Sequence, residues 1–547
     1  MRAAIWMLWC AAGSVFAQPF IVPNGVVNAA SYASPGLPGG SIARGSFFSI
    51  FGRQFGPAQY VQASSFPLQP NLAGVSIKVM QGNTSVDALP VFVAATQINA
   101  ILPSNAPLGQ VTIQVTYNNV KSNPLPVQVV NTSVGIFAAN SGGNGPGILQ
   151  NYIAADQQPI NSPAGPARPG QVITLWGTGL GPVPADNVAP TPGDLSVPVE
   201  VYVGGKLSKR LYSGRSPCCA GTDQIVFEVP QDTPVGCYVP VYVRAGGVTS
   251  NVVTMAIQQE GAAGCTDPLP VMQTLRQGGK VGIVAMIRTD GKRKNPTTTN
   301  LSVTDWALVT MRDQAANPFA FHPYLALPPP DSCTAFSVSG NLLGGDNPVG
   351  ALFAGKQLNY GSTLSMIGPG VSKQIPASGS ADLSFYAIGG KDADLNLNRP
   401  ALEAGNYTLT AAGGSDVSGF RADFSMPALL NWANRDSTLK VDRTKALALN
   451  WTGAPAGQSV IVFGASADLP TNSSAMFVCV APAGASSFSV PPAILSVLPR
   501  ARTSLAQTRG MLNLGTVPNS PASFNAPGLA AGTIIPVLLT GRAAIFF

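Results

Sequence analysis

Apolar side chains recur at every second position in short segments along most of the chain. In the segment 199–203, valines alternate with Glu200 and Tyr202, which is the period of a half-buried β-strand. The same alternation recurs in 225–229, 239–243, 406–411 and 420–426. Glycine and proline, at 59 and 49 of 547 residues, fall between these segments and favour turns. The pattern predicts an all-β chain of short strands joined by tight turns.

One block of this pattern occurs twice. ARGSFFSIFGRQFGP, which contains Gly52, is matched later by ARPGQVITLWGTGLGP, which contains Gly177, and further blocks follow in the same order. The two glycines are 125 residues apart, a spacing that suits tandem small domains. We expect both glycines at turns or close strand approaches, and Trp176 in a core. The repeat predicts immunoglobulin-like β-sandwiches at 18–131 and 132–265.

Three motifs of the first copy resemble a known family. They are VVNAASY at 26–32, PGGSIARGSFFSIFG at 38–52 and SNPLPVQV at 122–129. They look like the uncharacterized Solibacter-type domain of acidobacterial secreted proteins. Both copies also share an order of motifs that resembles the IPT/TIG group of immunoglobulin-like domains. In this order a strand ending in FG or WG is followed by G-x-x-(F/L)-G-P, an alternating strand, Q-I-x-x-x-(V/L)-P, and S-N before the last strand. The resemblance covers roughly residues 24–257. It implies an immunoglobulin-like fold and export, and it brings no catalytic residues.

The second half of the chain also has a sequence pattern typical of strands. Segments such as ALVTM, LALNW and AMFVCV are short, apolar and bounded by turn residues. A break at Met426–Pro427 divides this half into two further β-rich domains, predicted at 266–426 and 427–547. PPAILSVLP, at 491–499, is the best candidate for a short helix because proline suits a helix start.

The N-terminus is typical of a secretory signal peptide. Arg2 precedes an apolar run, and small residues lead up to Ala17, after which cleavage is expected. No later segment has the uninterrupted apolar length of a membrane-spanning helix, so no transmembrane span is predicted. Charged residues make up 10% of the chain and the net charge is +7, without a basic stripe. A nucleic-acid partner is therefore not expected.

Six cysteines remain once the signal is removed, and an even number in an exported chain predicts disulfides. A bond between the adjacent residues Cys218 and Cys219 would be strained. Each of them is therefore expected to bond with Cys237 or Cys265. A metal site is disfavoured because paired C-x-x-C spacing and a neighbouring histidine are both missing. The disulfide candidates are Cys218, Cys219, Cys237, Cys265, Cys333 and Cys479.

The sequence offers little catalytic chemistry. His322 is the only histidine and lies among aromatic residues without a nearby acid, which favours a structural role over a triad. A pair of carboxylates on distant strands could still serve a glycosidase, but no pair stands out. One segment has calcium-loop spacing, with oxygen ligands at positions 1, 3, 5 and 12, although Leu397 replaces the usual glycine and Pro400 stiffens the loop. These calcium candidates are Asp392, Asp394, Asn396 and Glu403.

Together these features indicate an exported, non-catalytic protein of several β-sandwiches. Its function would be binding, adhesion or scaffolding at the cell surface or outside the cell. Loops presented by a rigid sandwich frame would contact a glycan or an extracellular protein. The alternative is a secreted, polysaccharide-directed enzyme whose site lies in residues 266–547.

Overall fold

The computed structural model describes residues 18–292, 302–323, 325–339, 355–376, 384–391, 400–468, 470, 473–500 and 510–547. The predicted signal segment, 1–17, lies outside these residues, as do Asp392, Asp394 and Asn396 of the predicted calcium loop. Almost all of the regular secondary structure in the described chain is β-strand, which confirms the all-β prediction. None of the helices in this part is long and apolar enough to cross a membrane.

The first repeat forms one continuous sheet that curves around its own core. The strand order is β1-β3-β8-β7-β6-β9-β11-β2, with one parallel pair, β2 with β11. The core holds inward-facing residues of alternating strands, among them Phe48, Ile77 and Ile98. Its strands are β1 (Phe20–Asn28), β2 (Ile42–Ala43), β3 (Phe47–Arg53), β4 (Val61–Gln62), β5 (Asn71–Leu72), β6 (Val75–Gln81), β7 (Thr84–Val93), β8 (Gln97–Ile101), β9 (Gly109–Tyr117), β10 (Val120–Lys121) and β11 (Leu125–Val130).

The second repeat is a sandwich of two sheets, β12-β15-β20-β19-β16 and β13-β23-β21-β17-β18. Val201, Phe227 and Val241 lie between the sheets, as the alternation predicted. The strands are β12 (Gly135–Ile136), β13 (Gly145–Pro146), β14 (Leu149–Asn151), β15 (Val172–Thr178), β16 (Gly193–Asp194), β17 (Val199–Val203), β18 (Lys206–Leu207), β19 (Lys209–Arg215), β20 (Asp223–Glu228), β21 (Gly236–Ala245), β22 (Val248–Thr249) and β23 (Val253–Ile257).

The rest of the chain is organised by a ten-stranded sheet. In its described residues, two α-helices, α1 (Val271–Gln277) and α2 (Pro492–Leu495), and a 3-10 helix at Arg435–Thr438 accompany the sheet. The helix α2 lies inside the predicted segment 491–499. The strands are β24 (Gly279–Lys292), β25 (Ser302–Gln314), β26 (Ser332–Ser339), β27 (Lys356–Gln357), β28 (Thr363–Gly368), β29 (Val371–Pro376), β30 (Ser384–Lys391), β31 (Gly405–Gly413), β32 (Ser418–Met426), β33 (Asn431–Trp432), β34 (Lys440–Val441), β35 (Leu447–Thr452), β36 (Gln458–Asp468), β37 (Ser473–Val480), β38 (Ser487–Val490), β39 (Gly510–Pro518), β40 (Ala522–Phe524), β41 (Ala531–Ala543) and β42 (Ile545–Phe546).

This sheet crosses the boundary predicted at Met426–Pro427. Its order is β26-β37-β36-β39-β41-β24-β25-β27, and β24 pairs in parallel with β41 from the far end of the chain. Two cores form on its inner face, one against β28, β31 and β32 and one against β33, β35 and α2. The break therefore does not separate two independent sheets, because β26 and β41 each join strands from the other side of it.

The disulfides differ from the expected pairing. Cys237 bonds Cys265 and Cys333 bonds Cys479, but Cys218 bonds its neighbour Cys219. The prediction that the adjacent cysteines reach Cys237 or Cys265 is wrong. The reason is topological, because the turn that holds the adjacent pair joins β19 to β20 in one sheet, whereas Cys237 lies on β21 in the opposite sheet.

A buried ion pair joins the two repeats. Arg215 contacts Asp223 through Nη1, and both side chains are almost fully shielded from solvent. Arg215 Nη2 donates to the carbonyl oxygens of Gly45 in the first repeat and Gly181 in the second, at 2.8 and 2.7 Å. Burial raises the pKa of Asp223 to about 6, against the lowering effect of Arg215. The carboxylate is therefore ionised at neutral pH and compensates the guanidinium.

Gly45 shows why this junction constrains the sequence. Its φ of +67° lies in the left-handed region, where a side chain is disfavoured. A Cβ there would also approach Arg215 Nη2 to 2.6 Å. A glycine is thus required for the guanidinium to reach the backbone of the first repeat.

Replacing Arg215 with methionine should leave the Asp223 carboxylate buried without a cation. We expect a loss of about 3–5 kcal/mol in the free energy of unfolding of this region, as for other broken buried pairs. Urea denaturation followed by tryptophan fluorescence would measure it, since Trp176 lies in the second repeat.

Arg244→Met is the matched control, because Arg244 and Glu200 form an exposed pair in the same sandwich, at 3.8 Å. This change should cost no more than about 1 kcal/mol. Equal losses in the two variants would contradict a special role for the buried pair.

Candidate functional site

The outer face of the ten-stranded sheet is apolar, like its inner face. On β24, Val284 and Met286 enter the inner core, while Ile283 and Ile287 point the other way and line a large depression. The same alternation continues across the neighbouring strands. The other outward residues of this floor are Ala285, Leu308, Ile461, Phe463, Val478, Val480, Val517, Ile535, Val537 and Leu539.

We call this depression the sheet groove. Its volume is about 1240 Å³, which exceeds the roughly 300–1,000 Å³ of ordinary small-molecule pockets. One wall consists of residues 235–238 at the start of β21, the loop 266–269 and the proline-rich segment 327–330. The other end is closed by the loops 452–457 and 481–486. The groove therefore lies where the second repeat meets the C-terminal sheet.

The wall on the side of the second repeat is fixed by covalent and polar contacts. The Cys237–Cys265 bond ties β21 to the loop that leads into α1. Arg276 on α1 donates to the hydroxyl of Tyr238 at 2.8 Å and to both carboxylate oxygens of Asp267, at 2.8 and 2.6 Å. Burial raises the pKa of Tyr238 to about 12, so its hydroxyl stays protonated and bonded.

His322 belongs to this wall, and the structural role expected of it stays a prediction. It is only 4% exposed, and its backbone oxygen accepts the N–H groups of Leu325 and Ala326, at 2.9 and 2.8 Å. Burial lowers the pKa of its imidazole to about 3. The ring is therefore neutral at physiological pH.

The described lining of the groove contains few of the side chains that a hydrolase uses. Among its described lining residues the only acid is Asp267, which is occupied by Arg276. A glycosidase needs two carboxyl groups on either side of the scissile bond, and this lining does not supply them. Ser459 and Asn519, at the rim, bond each other at 2.6 Å. The arrangement suits the exclusion of water and the contact of apolar groups.

Only one of the four predicted calcium ligands, Glu403, lies within the described residues. Glu403 is exposed, and its backbone oxygen accepts the hydroxyl of Tyr407 at 2.9 Å. Its three proposed partners lie outside the described residues. Within the described part of the chain, no group of three His, Cys, Asp or Glu residues is arranged to hold a metal ion. The calcium loop stays a prediction.

The sequence reading missed the sheet groove, although a signal was present. VGIVAMI at 281–287 and TIIPVLL at 533–539 are apolar at nearly every position. A strand with one solvated face alternates, whereas a strand covered on both faces reads as a continuous apolar run. These two runs therefore indicated strands whose second face also needs a cover or a ligand.

No protein-family model and no curated protein matches this chain. Solved structures share its fold class at low identity. The surface layer protein SbsC, domains 4–9, is 10% identical, with a TM-score of 0.18 over 93% of this chain and 65% of that structure's length. SGBP-B from a complex xyloglucan utilization locus in Bacteroides uniformis is 9% identical, with a TM-score of 0.16 over 86% of this chain and 98% of that one.

The titin I9–I11 tandem is 8% identical, with a TM-score of 0.13, and the match covers 69% of this chain and 93% of that one. TM-scores this low carry no argument about function. The fold class rests on this chain's own strands and sheets, which the immunoglobulin-like tandem neighbours share. The resemblance to the Solibacter-type domain stays a prediction.

His322 makes the fold sensitive to acid. An unfolded histidine binds a proton below pH 6.5, whereas the buried imidazole stays neutral down to about pH 3. Stability from this group is therefore complete above pH 6.5 and is lost as the pH falls below it. Between pH 6.5 and 5 the loss should reach about 2 kcal/mol.

Urea denaturation of the parent and of His322→Leu at pH 7.5 and pH 5 tests this expectation. The variant should lose less stability on acidification than the parent, whatever its absolute stability at pH 7.5. If both lose the same amount, the acid sensitivity has another source.

Proposed function

We propose that the protein is an exported, non-catalytic binding protein that holds an apolar segment of an extracellular protein partner in the sheet groove. The observation that carries this proposal is the size and apolar character of the groove floor. Extended apolar patches on soluble proteins often mark interaction sites.

The lining favours a protein segment over a glycan. Sugars present many hydroxyl groups, which need polar partners when they leave water. Here the floor is built from valine, leucine, isoleucine, phenylalanine and alanine, and the acid of the wall is engaged by Arg276. An extended chain with apolar side chains on one face would instead match the two-residue period of the floor.

Export is supported by the cysteines together with the predicted signal peptide. All six cysteines of the described chain are joined in disulfides. Such bonds persist in oxidising compartments outside the cytoplasm and are rare inside it. The buried Arg215–Asp223 junction adds a firm connection between the two repeats, which suits a scaffold that presents a fixed surface.

Introducing a charge on the groove floor should abolish binding. Val537→Asp places a carboxylate among the apolar floor residues, where an apolar partner would have to bury it. The probe is a fluorescein-labelled peptide of alternating valine and serine with lysines at its ends, and fluorescence anisotropy is the measurement. We expect affinity to fall by at least about tenfold, which corresponds to about 1.4 kcal/mol.

Ile367→Asp is the control, because Ile367 is an apolar strand residue that is 60% exposed outside the groove. It should bind the peptide like the parent. Binding of soluble, fluorescein-labelled xylan, glucan and chitin oligosaccharides is measured by the same anisotropy assay. Release of shorter products from these oligosaccharides is measured as well. Retention of a glycan by both variants, or turnover of a polysaccharide, would overturn the proposal and favour the alternative.

A further inference from the structure

The bonded pair Cys218–Cys219 lies at the surface, in the turn between β19 and β20. We propose that this pair is a site of reversible thiol–disulfide exchange with an external dithiol, such as a reduced extracytoplasmic redox protein. This role is separate from peptide binding in the sheet groove. Three observations support the proposal. Both cysteines are exposed, the Ser216 hydroxyl lies beside Cys218, and other contacts hold the turn in place without the disulfide.

Exposure distinguishes this pair from the other disulfides. Cys218 and Cys219 are both exposed, and Cys265 is half-buried, whereas Cys237, Cys333 and Cys479 are 4%, 5% and 0% exposed. An attacking thiolate must reach a sulfur atom along the axis of the disulfide bond, so access controls the rate. A reductant in solution would therefore meet Cys218–Cys219 first.

Ser216 gives the two sulfur atoms different surroundings. Its Oγ lies 3.2 Å from Cys218 Sγ and accepts the backbone N–H groups of Cys218 and Cys219, at 3.1 and 3.3 Å. The hydroxyl proton is thus available to the sulfur of Cys218. A hydrogen bond to a thiolate stabilises the charged form and makes it the better leaving group.

The turn is held by contacts that do not involve sulfur. Ser216 N–H donates to the oxygen of Thr222, and Thr222 N–H donates to the oxygen of Cys219. Arg215 and Asp223 pair in register directly outside it. Thr178 Oγ1 donates to the oxygen of Gly221 at 2.6 Å. The two thiols would therefore stay adjacent after reduction, ready to close again.

The exchange follows from these positions. The external thiolate attacks Cys219 Sγ, the S–S bond breaks, and the electron pair leaves with Cys218 as a thiolate bonded by Ser216. The second thiol of the reductant, as thiolate, then attacks its own sulfur in the mixed disulfide and releases Cys219 as a thiolate. The external dithiol is oxidised by two electrons and Cys218–Cys219 is reduced by two. Both thiolates take up protons from water.

The test uses the purified protein under native conditions with dithiothreitol as the dithiol. Timed samples are alkylated with iodoacetamide and each cysteine is followed by peptide mass spectrometry. We expect Cys218 and Cys219 to be labelled at least about 100-fold faster than Cys237, Cys333 or Cys479, since exposure governs attack. Oxidised glutathione should then restore the bond while the unfolding midpoint remains unchanged.

Ser216→Ala separates positioning from mere accessibility. In this variant reduction should slow by about tenfold, and the pH at which reduced Cys218 is half alkylated should rise, because the thiolate loses its donor. Ser216→Thr should restore both properties. Cys218→Ser/Cys219→Ser should fold and bind the groove peptide like the parent. Reduction no faster than that of Cys237–Cys265, or reduction only as the protein unfolds, would overturn the proposal.

Discussion

The parallel pairing of β24 with β41 is the interaction on which the C-terminal half depends. It extends from Val281 with Ala531 to Lys292 with Arg542 and joins segments 250 residues apart. Parallel neighbours need a long crossover connection, and here the connection contains nearly all of both C-terminal cores. Without this pairing the ten-stranded sheet would divide in two. The core formed by β24, β25 and β41 against β28, β31 and β32 would lose part of its wall, and the groove floor would be split.

Because these central strands are apolar on both faces, they require two covers. The inner face is covered by the smaller sheets and α2, which form two separate cores. The outer face is covered only partly, by α1, Tyr238 of the second repeat and the segment around Leu325. Apolar surface left in water forgoes about 25 cal/mol per Å². An apolar occupant of the remaining groove would recover that stabilisation, which connects the fold to binding.

How far the sequence predicts this molecule is clear from particular residues. The alternation of Val201 and Val203 with polar neighbours placed them correctly in a core, since strand period alone decides the face. Gly177 was expected at a close approach, and a Cβ there would lie 2.5 Å from the oxygen of Gly135. Trp176 was expected in the core, but it lies half-buried with its indole N–H bonded to Gln150.

The sequence did not predict which strands pair with each other or which cysteines bond. Alternation specifies which face a strand buries but not which strand lies beside it, so it did not predict that β24 and β26 pair with strands that follow Met426–Pro427. The same applies to the candidate site, whose floor combines strands from both ends of the C-terminal half. Cysteine pairing fails for a related reason, because opposite sheets of one sandwich keep Cys218 and Cys219 away from Cys237.

The disulfides differ in how much each stabilises the fold by restricting the entropy of the unfolded chain. Cys333 and Cys479 face each other on paired strands and close 146 residues, which in the chain-entropy model contributes about 5 kcal/mol by restricting the unfolded chain. A bond between neighbours encloses almost no chain, so it restricts the unfolded ensemble hardly at all. The turn of Cys218 and Cys219 is also held by backbone contacts of its own. Stability therefore does not account for the exposed bond, and its chemistry is the property left to explain its place at the surface.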